Sequence, residues 1–367
     1  MTATATPSIG QRVQRKEDPK LIRGAGTYTD DVAPAGVLHA ALVRSPHAHA
    51  RIARIDAARA KSAPGVVTVL TGAETKGTGA LPCFITLPDL KSSTHYPLAA
   101  DKVRYAGDAV AVVVADSRKA AKAAAALVDV EYETLPVVVD AEQAAKPGAP
   151  ILHDELGTNV AYVYPVKGGD IDAAFREADA VVKHRIRNQR LIPNAIEPRS
   201  VVARPDEGGG LTVWTTTQIP HFVQLFIALN LGISQNAVRV IAPEVGGGFG
   251  SKLNVYAEEL LVPFLAKTLG RPVKWTEERR EGYLATTHGR DIVHDVEIAA
   301  RKDGTITGLR IRGVANLGGY LQAFTPVIET VLHIFIIPGA YRIPAFDCQI
   351  TGVYTNTVPT DAYRGAG

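Results

Sequence analysis

A chain of 367 residues corresponds to about two domains at roughly 150 residues each, so a sizeable buried core is available and small stapled scaffolds are excluded. With 46% hydrophobic, 21% charged and 6% aromatic residues the composition is that of a folded chain, not a disordered tail. Forty Lys+Arg against 37 Asp+Glu leave a formal charge of only +3, which argues against the concentrated basic face of a nucleic-acid binder.

In chain order, residues 37–44 form an apolar, strand-like run, 55–61 an alanine-rich helix, and 65–70 a β-branched buried strand. Residues 109–115 (AVAVVVA) predict a central strand, 117–127 a helix capped by Ser117 or Asp116, and 128–133 a returning strand. Strand, helix, strand in succession implies a βαβ unit. The intervening segment 77–101, with Pro82, Pro88 and Pro97, reads as a surface excursion. A composition shift over 143–159 places a domain boundary near residue 150, dividing the chain into 1–150 and 151–367.

Beyond the boundary come a helix over 171–178, strands over 180–190 and 211–216, a helix over 220–231 and a strand over 238–242. A glycine loop follows, then a helix over 255–269 that stops at Gly270 with Pro272 beyond it. Strands over 292–300 and 306–314 are joined by the Lys302-Asp303-Gly304 turn, a hairpin signal. The chain stops at a glycine-rich loop, Tyr363 to Gly367, where a further element would ordinarily follow. The expectation is therefore part of a longer polypeptide.

Cys83 and Cys348 lack metal-ligand or redox-motif spacing, so buried thiols in a reducing compartment are expected. Residues 1–10 contain no signal-peptide apolar core, and no uncharged stretch approaches the ~20 apolar residues of a membrane span. The reading is a soluble cytoplasmic protein with neither membrane nor nucleic acid as a partner. His47 and His49 are the only close histidine pair, but no third ligand of matching spacing follows. A surface turn is expected there, and no metal-ligating residue is nominated. G-x-S-x-G, H-E-x-x-H and DFG-type motifs do not occur.

Three loops could carry chemistry. Val245-Gly246-Gly247-Gly248-Phe249-Gly250-Ser251-Lys252 lies between a strand and a helix. Glycines there let main-chain N–H groups approach an anion or a large polar cofactor, and the helix start adds partial positive charge. It fits neither the Walker loop nor G-x-G-x-x-G, so a nicotinamide-dependent dehydrogenase is disfavoured. A ligand-free strand-to-helix turn stays open as the plainer alternative. Thr215-Thr216-Thr217-Gln218 ends a strand, where an amide can face a crevice or merely brace a turn. In Ala362-Tyr363-Arg364-Gly365-Ala366-Gly367 one arginine is flanked by small residues that would admit a bulky anion, although a lone arginine is usually a solvated charge.

In order and spacing, these loops resemble the molybdenum hydroxylase family: the large subunits of xanthine oxidase, aldehyde oxidase and aerobic carbon monoxide dehydrogenase. The likeness covers nearly the whole chain. Arg23-Gly24-Ala25-Gly26-Thr27-Tyr28 with Asp30 and Asp31, Leu38-His39-Ala40, Arg44-Ser45-Pro46-His47-Ala48, Pro64-Gly65-Val66 and Val103 to Ala111 resemble its a/b hammerhead domain. Ile196-Glu197-Pro198-Arg199, Thr217-Gln218, the glycine loop and Ala362 to Gly367 resemble its first molybdopterin-binding domain. The implied fold is α+β, a hammerhead domain followed by part of the first cofactor domain. The implied cofactor is molybdenum-molybdopterin cytosine dinucleotide, with Gln218, Gly247, Gly248, Phe249, Gly250 and Arg364 binding it. Gln218 lies near the apical oxygen, and Arg364 binds cofactor or polarises substrate.

The resemblance further implies hydroxylation of an aldehyde or N-heterocycle with water-derived oxygen. Electrons would leave through a small 2Fe-2S subunit and a medium FAD subunit in a dimer of heterotrimers. Two unclustered cysteines cannot hold iron–sulfur clusters, and no flavin fingerprint is present. Carbon monoxide dehydrogenase proper has a copper-binding cysteine after the arginine; Gly365 stands here, as in its form II relatives, so a copper–molybdenum centre is disfavoured. Leu253 occupies the position of the xanthine-type substrate glutamate. The family's catalytic glutamate lies in a C-terminal half, and Glu244, Glu258 and Glu259 do not match it. The chain alone is therefore expected to be inactive without that half. The alternatives are a non-catalytic binding or assembly module, the rival from another class, and an aerobic carbon monoxide dehydrogenase.

Overall fold

A computed structural model describes residues 9–75 and 78–365; positions 1–8, 76–77 and 366–367 lie outside it, including Ala366 and Gly367 of the terminal loop. Fifteen strands are described: β1 Leu38–Arg44, β2 Ala50–Asp56, β3 Val66–Thr71, β4 Lys102–Val103, β5 Ala109–Ala115, β6 Asp129–Thr134, β7 Val160–Gly168, β8 Ala180–Asn188, β9 Ser200–Pro205, β10 Leu211–Thr215, β11 Val238–Ile241, β12 Val273–Thr276, β13 Ile292–Ala300, β14 Ile306–Gly318 and β15 Ala345–Tyr354. They form a seven-stranded sheet ordered β11-β10-β9-β12-β1-β5-β3, a five-stranded sheet ordered β7-β15-β14-β13-β8, and a three-stranded sheet ordered β4-β2-β6. The implied α+β architecture is the observed one.

The β5 run is buried at all seven positions and lies between β1 and β3, as its unbroken apolar sequence requires. The expected βαβ unit is not formed. β1 and β3 both run antiparallel to β5, and after the Arg118–Ala125 helix, capped by Ser117, the chain enters β6 of the three-stranded sheet instead. β6 reads Asp-Val-Glu-Tyr-Glu-Thr and is mostly exposed. Its alternation suits the edge of a small antiparallel sheet and not a buried parallel strand. The helix expected over 55–61 shortens to Ala58–Lys61, because Ile55 belongs to β2 and pairs with Val130.

The large sheet joins the two halves of the chain. β1 runs parallel to β12, with Leu38 opposite Val273 and His39 opposite Lys274. The Pro220–Leu231 helix begins on its proline and closes at Gly232, which takes the left-handed φ of 61°. With the Ala257–Leu269 helix it packs on this sheet around Val213, Val223, Ile227, Leu260, Leu261, Leu265 and Trp275. A second core around Leu152, Leu317, Ile350 and Tyr354 belongs to the five-stranded sheet.

The expected surface excursion is instead a seam filler. Leu81, Phe84 and Leu98 pack on the first core, and Ile85, Leu87 and Leu90 on the second. Its main chain is satisfied across that seam by Phe84 N–H to Ala323 and Lys91 N–H to Ala161. The apolar residues of this segment follow no strand or helix period, so proline and polarity dominate its sequence while burial dominates its structure. The surface turn expected at His47 and His49 is likewise partly internal: His49 is buried with Nδ1 2.7 Å from the Pro136 carbonyl, and half-buried His47 packs against Tyr132. Among the described residues no helix is long and apolar enough to cross a membrane.

Candidate functional site

The glycine loop follows β11 and is held from three sides. Behind it, the Glu197 carboxylate accepts from the Gly246 N–H at 2.6 Å and from Lys252 Nζ at 3.2 Å, while Lys252 also donates to the Glu197 carbonyl at 3.0 Å. Burial lowers the Lys252 pKa, and the carboxylate opposes that shift. Within the loop, the Ser251 hydroxyl donates to the Gly248 carbonyl at 2.8 Å. Beside it, Gln218, three residues beyond the end of β10, is fixed at both ends: its N–H donates to Lys252 O, and its Oε1 accepts from Gly250 N–H at 2.9 Å.

Close approach explains two of the glycines. A Cβ on Gly248 would lie 2.3 Å from Gln218 Oε1, and one on Gly250 would lie 2.5 Å from the Ala362 carbonyl, with φ already at +95°. Phe249 itself adopts φ 55°, an unusual conformation for an aromatic residue. The third predicted segment arrives here as well. Arg364 N–H donates to the Phe249 carbonyl at 2.8 Å, and its guanidinium carbon lies 5.8 Å from the Phe249 ring centroid. Gln218, Gly247, Gly248, Phe249, Gly250 and Arg364 therefore form one cluster, although 146 positions separate its first and last members.

The donor set suits a large anionic group. Among the described residues, no intrachain hydrogen bond uses the main-chain N–H of Gly247, Gly248 or Phe249, the Gln218 amide N–H2, or the Arg364 guanidinium. Gln218, Phe249 and Arg364 are exposed, and Gly247 and Gly248 are half-buried. Unspent donors around a glycine turn fit a pterin–phosphate cofactor. No group of three or more His, Cys, Asp or Glu that could ligate a metal occurs among the described residues.

One expected contribution is corrected. The following helix starts only at Ala257, and its first turn is occupied by its own acids: Glu259 accepts from Tyr256 N–H at 3.0 Å, and both Glu258 and Glu259 are buried. The helix dipole is thus directed at internal carboxylates and not offered to a ligand.

Those acids belong to a buried ion network that sequence reading missed. Arg199 donates to Glu258 at 2.9 Å and to Glu277 at 2.8 Å, and stacks on Tyr256. Arg44 of β1 reaches Glu258 and Glu281 from the other half of the chain. Burial opposes ionisation of Glu258, but the two guanidinium groups prevail and hold its pKa down at about 2. Arg44 and Arg199 lie within the family-like segments but show no spacing that pairs them. Leu253 packs half-buried on the first core and makes no polar contribution.

Residues 152–367 match the family described as molybdopterin cofactor-binding domain, and 23–136 match the aldehyde oxidase and xanthine dehydrogenase a/b hammerhead domain. The chain is 38% identical to nicotine 6-hydroxylase large subunit of Paenarthrobacter nicotinovorans over 363 residues, 98% of this chain and 44% of that protein. It is 37% identical to the carbon monoxide dehydrogenase large chain of Hydrogenophaga pseudoflava, over 98% of this chain and 46% of that one. The crystal structure of quinoline 2-oxidoreductase from Pseudomonas putida 86 superposes with a TM-score of 0.94 at 36% identity, covering 99% of this chain and 46% of that one. The chain thus spans less than half the length of these relatives. With both domains matched in order, the chain belongs to the xanthine oxidase family of molybdenum hydroxylase large subunits.

Proposed function

We propose that this chain forms the cofactor-facing part of a hydroxylase acting on an electron-poor carbon of an N-heterocycle or aldehyde, with the cofactor as the cytosine dinucleotide. The observation that carries this reading is the convergence of the free Gln218 amide, three unpaired main-chain donors and the Arg364 guanidinium on one surface. Relatives named for nicotine and quinoline favour the N-heterocycle, and Gly365 disfavours a copper site.

When bound, the molybdenum cofactor supplies oxygen transfer and two-electron redox chemistry. The chain's own residues do the rest of the local work. Gln218, locked through Oε1, presents its amide N–H2; Gly247, Gly248 and Phe249 present N–H groups on a loop braced by Gln218, Ser251 and Glu197. Such preorganised donors stabilise developing negative charge without reorganisation. Arg364 orients an anionic cofactor group or a polarised substrate atom. Glu197 holds Gly246 and Lys252 through Oε2 while its Oε1 is buried, and Glu258 and Glu259 are internal, so we assign the proton-accepting carboxylate to a further polypeptide segment. Partner subunits carrying 2Fe-2S and FAD would receive the electrons, in a cytoplasmic dimer of heterotrimers.

The test is elemental and kinetic. Assembled with the remaining large-subunit segment and both partners, the chain should bind about one molybdenum per copy and hydroxylate N-heterocycles. Gln218→Ala and Arg364→Ala should each lower kcat/KM by at least about tenfold, or ~1.4 kcal/mol. Absence of molybdenum would overturn the reading, as would turnover by the isolated chain for the assignment of the base.

A further inference from the structure

We propose that Arg290 is a positioning residue that sets the aim of Arg364; the proposal rests on the reading above that Arg364 faces the cofactor or substrate. Arg290 and Asp291 are consecutive non-glycine residues in the left-handed region, with φ 65° and 72°. Two such residues in succession persist only where the surroundings over-determine the backbone. Here they do. Gly289 exchanges both main-chain hydrogen bonds with Leu191, and Asp291 is held by Arg190 Nε and Asn316 Nδ2, each at 2.9 Å.

This turn delivers the Arg290 guanidinium to three successive carbonyls of the terminal loop. Nη1 donates to Tyr363 O at 2.8 Å, and Nη2 to Arg364 O at 3.1 Å and Gly365 O at 3.3 Å, while the group also lies over the Tyr363 ring. A Cβ on Gly289 would lie 2.4 Å from Tyr363 Cβ, so the loop is seated directly on the turn. From the opposite side, Arg364 N–H is tied to the Phe249 carbonyl. The main chain of Arg364 is therefore suspended between two anchors, and only its side chain is left free.

Among the described residues no carboxylate forms an ion pair with Arg290. The nearby acids are otherwise disposed: buried Asp361 accepts from the Phe324 and Ala362 N–H groups, half-buried Asp291 is engaged by Arg190, and burial raises the pKa of Glu329 against the opposing pull of Arg290 and Arg190. The field of the Arg290 guanidinium therefore adds to that of Arg364 where an anionic group would dock. The planar fork is needed for three carbonyls in a row; the compact ammonium of lysine reproduces the charge but not this geometry.

The test compares Arg290→Met, Arg290→Lys, Arg364→Ala and the Arg290→Met/Arg364→Ala double variant in the complete cofactor-loaded complex. It reads molybdenum per chain, kcat and KM, thermal midpoint, and the rate of limited trypsin cleavage after Arg364. Arg290→Met is expected to speed that cleavage at least tenfold and to lower kcat/KM at least tenfold. The double variant should be no worse than Arg364→Ala alone, and Arg290→Lys should recover part of the loss, serving also if Arg290→Met fails to fold. Arg364→Ala impaired with the foldable Arg290 variant unimpaired, or independent multiplicative effects, would overturn this inference alone. An unimpaired Arg364→Ala would overturn the reading of the site and this inference with it.

Discussion

Gln218 illustrates how much one side chain can settle. Its Oε1 closes the glycine loop through Gly250, its N–H fixes it to Lys252, and its amide N–H2 makes no hydrogen bond among the described residues. The same contact explains why position 248 must lack a Cβ, since the first atom of any side chain would displace the amide. Gly250→Ala tests the neighbouring constraint. Its φ of +95° and the 2.5 Å approach to the Ala362 carbonyl predict a loss of at least about 1 kcal/mol in urea unfolding, because a methyl there is strained and clashes with backbone. The same variant should lose most of its bound molybdenum, as the glycine loop and Arg364 loop are forced apart. From the sequence, the glycines and Arg364 were visible as separate signals, each with a plainer alternative. Lys252 stood within the glycine motif without a role, and its pairing with Glu197 arises only when the loop folds back on residues 196–199.

At the level of elements, the decisive feature is the β1–β12 pairing, which carries a hammerhead strand into the cofactor-domain sheet. Arg44 extends from β1 across this joint to Glu258, which Arg199 also engages, so one carboxylate ties both halves together. Arg199→Ala would leave Glu258 and Glu277 buried with fewer partners, and a loss of about 3–5 kcal/mol is expected in denaturant unfolding. If the two halves unfold as one unit, a single transition should shift. A second transition appearing in that variant would show that the network couples them. The strand, helix and strand at 109–134 were legible as elements because apolar runs and alanine-rich periodicity are local properties. Their partnership was not: β6 joins β2, and nothing in its own residues records which sheet it enters.

The whole molecule carries an unusual set of internal acids, and this sets its pH dependence. Burial raises Glu259 to about 7, Asp361 to about 6 and Glu329 to about 8; hydrogen bonds oppose it in part at Glu259 and Asp361, and Arg290 and Arg190 in part at Glu329. Each carboxyl then holds a proton in the folded state that the unfolded chain has lost. Stability from these groups is full below their ordinary values and falls as pH rises through about 6 to 8. Glu258 acts in the opposite sense, losing its contribution as pH falls from its ordinary range through about 2. Urea midpoints measured from pH 5 to 9 should therefore decline, and Glu329→Gln should flatten the alkaline part of that decline. An unchanged slope in Glu329→Gln would assign it to other groups. By itself the sequence determined the family and the order of the two domains and marked three loops as candidates for a site, because glycine punctuation, apolar period and motif order are properties of contiguous residues. Only the tertiary structure decided that 78–101 fills the seam between two cores, that the helix at 257–269 directs its dipole at its own acids, and that Arg290 grips the loop of Arg364. These depend on which distant surfaces meet, and burial and close approach are energies of the packed chain that no local pattern encodes.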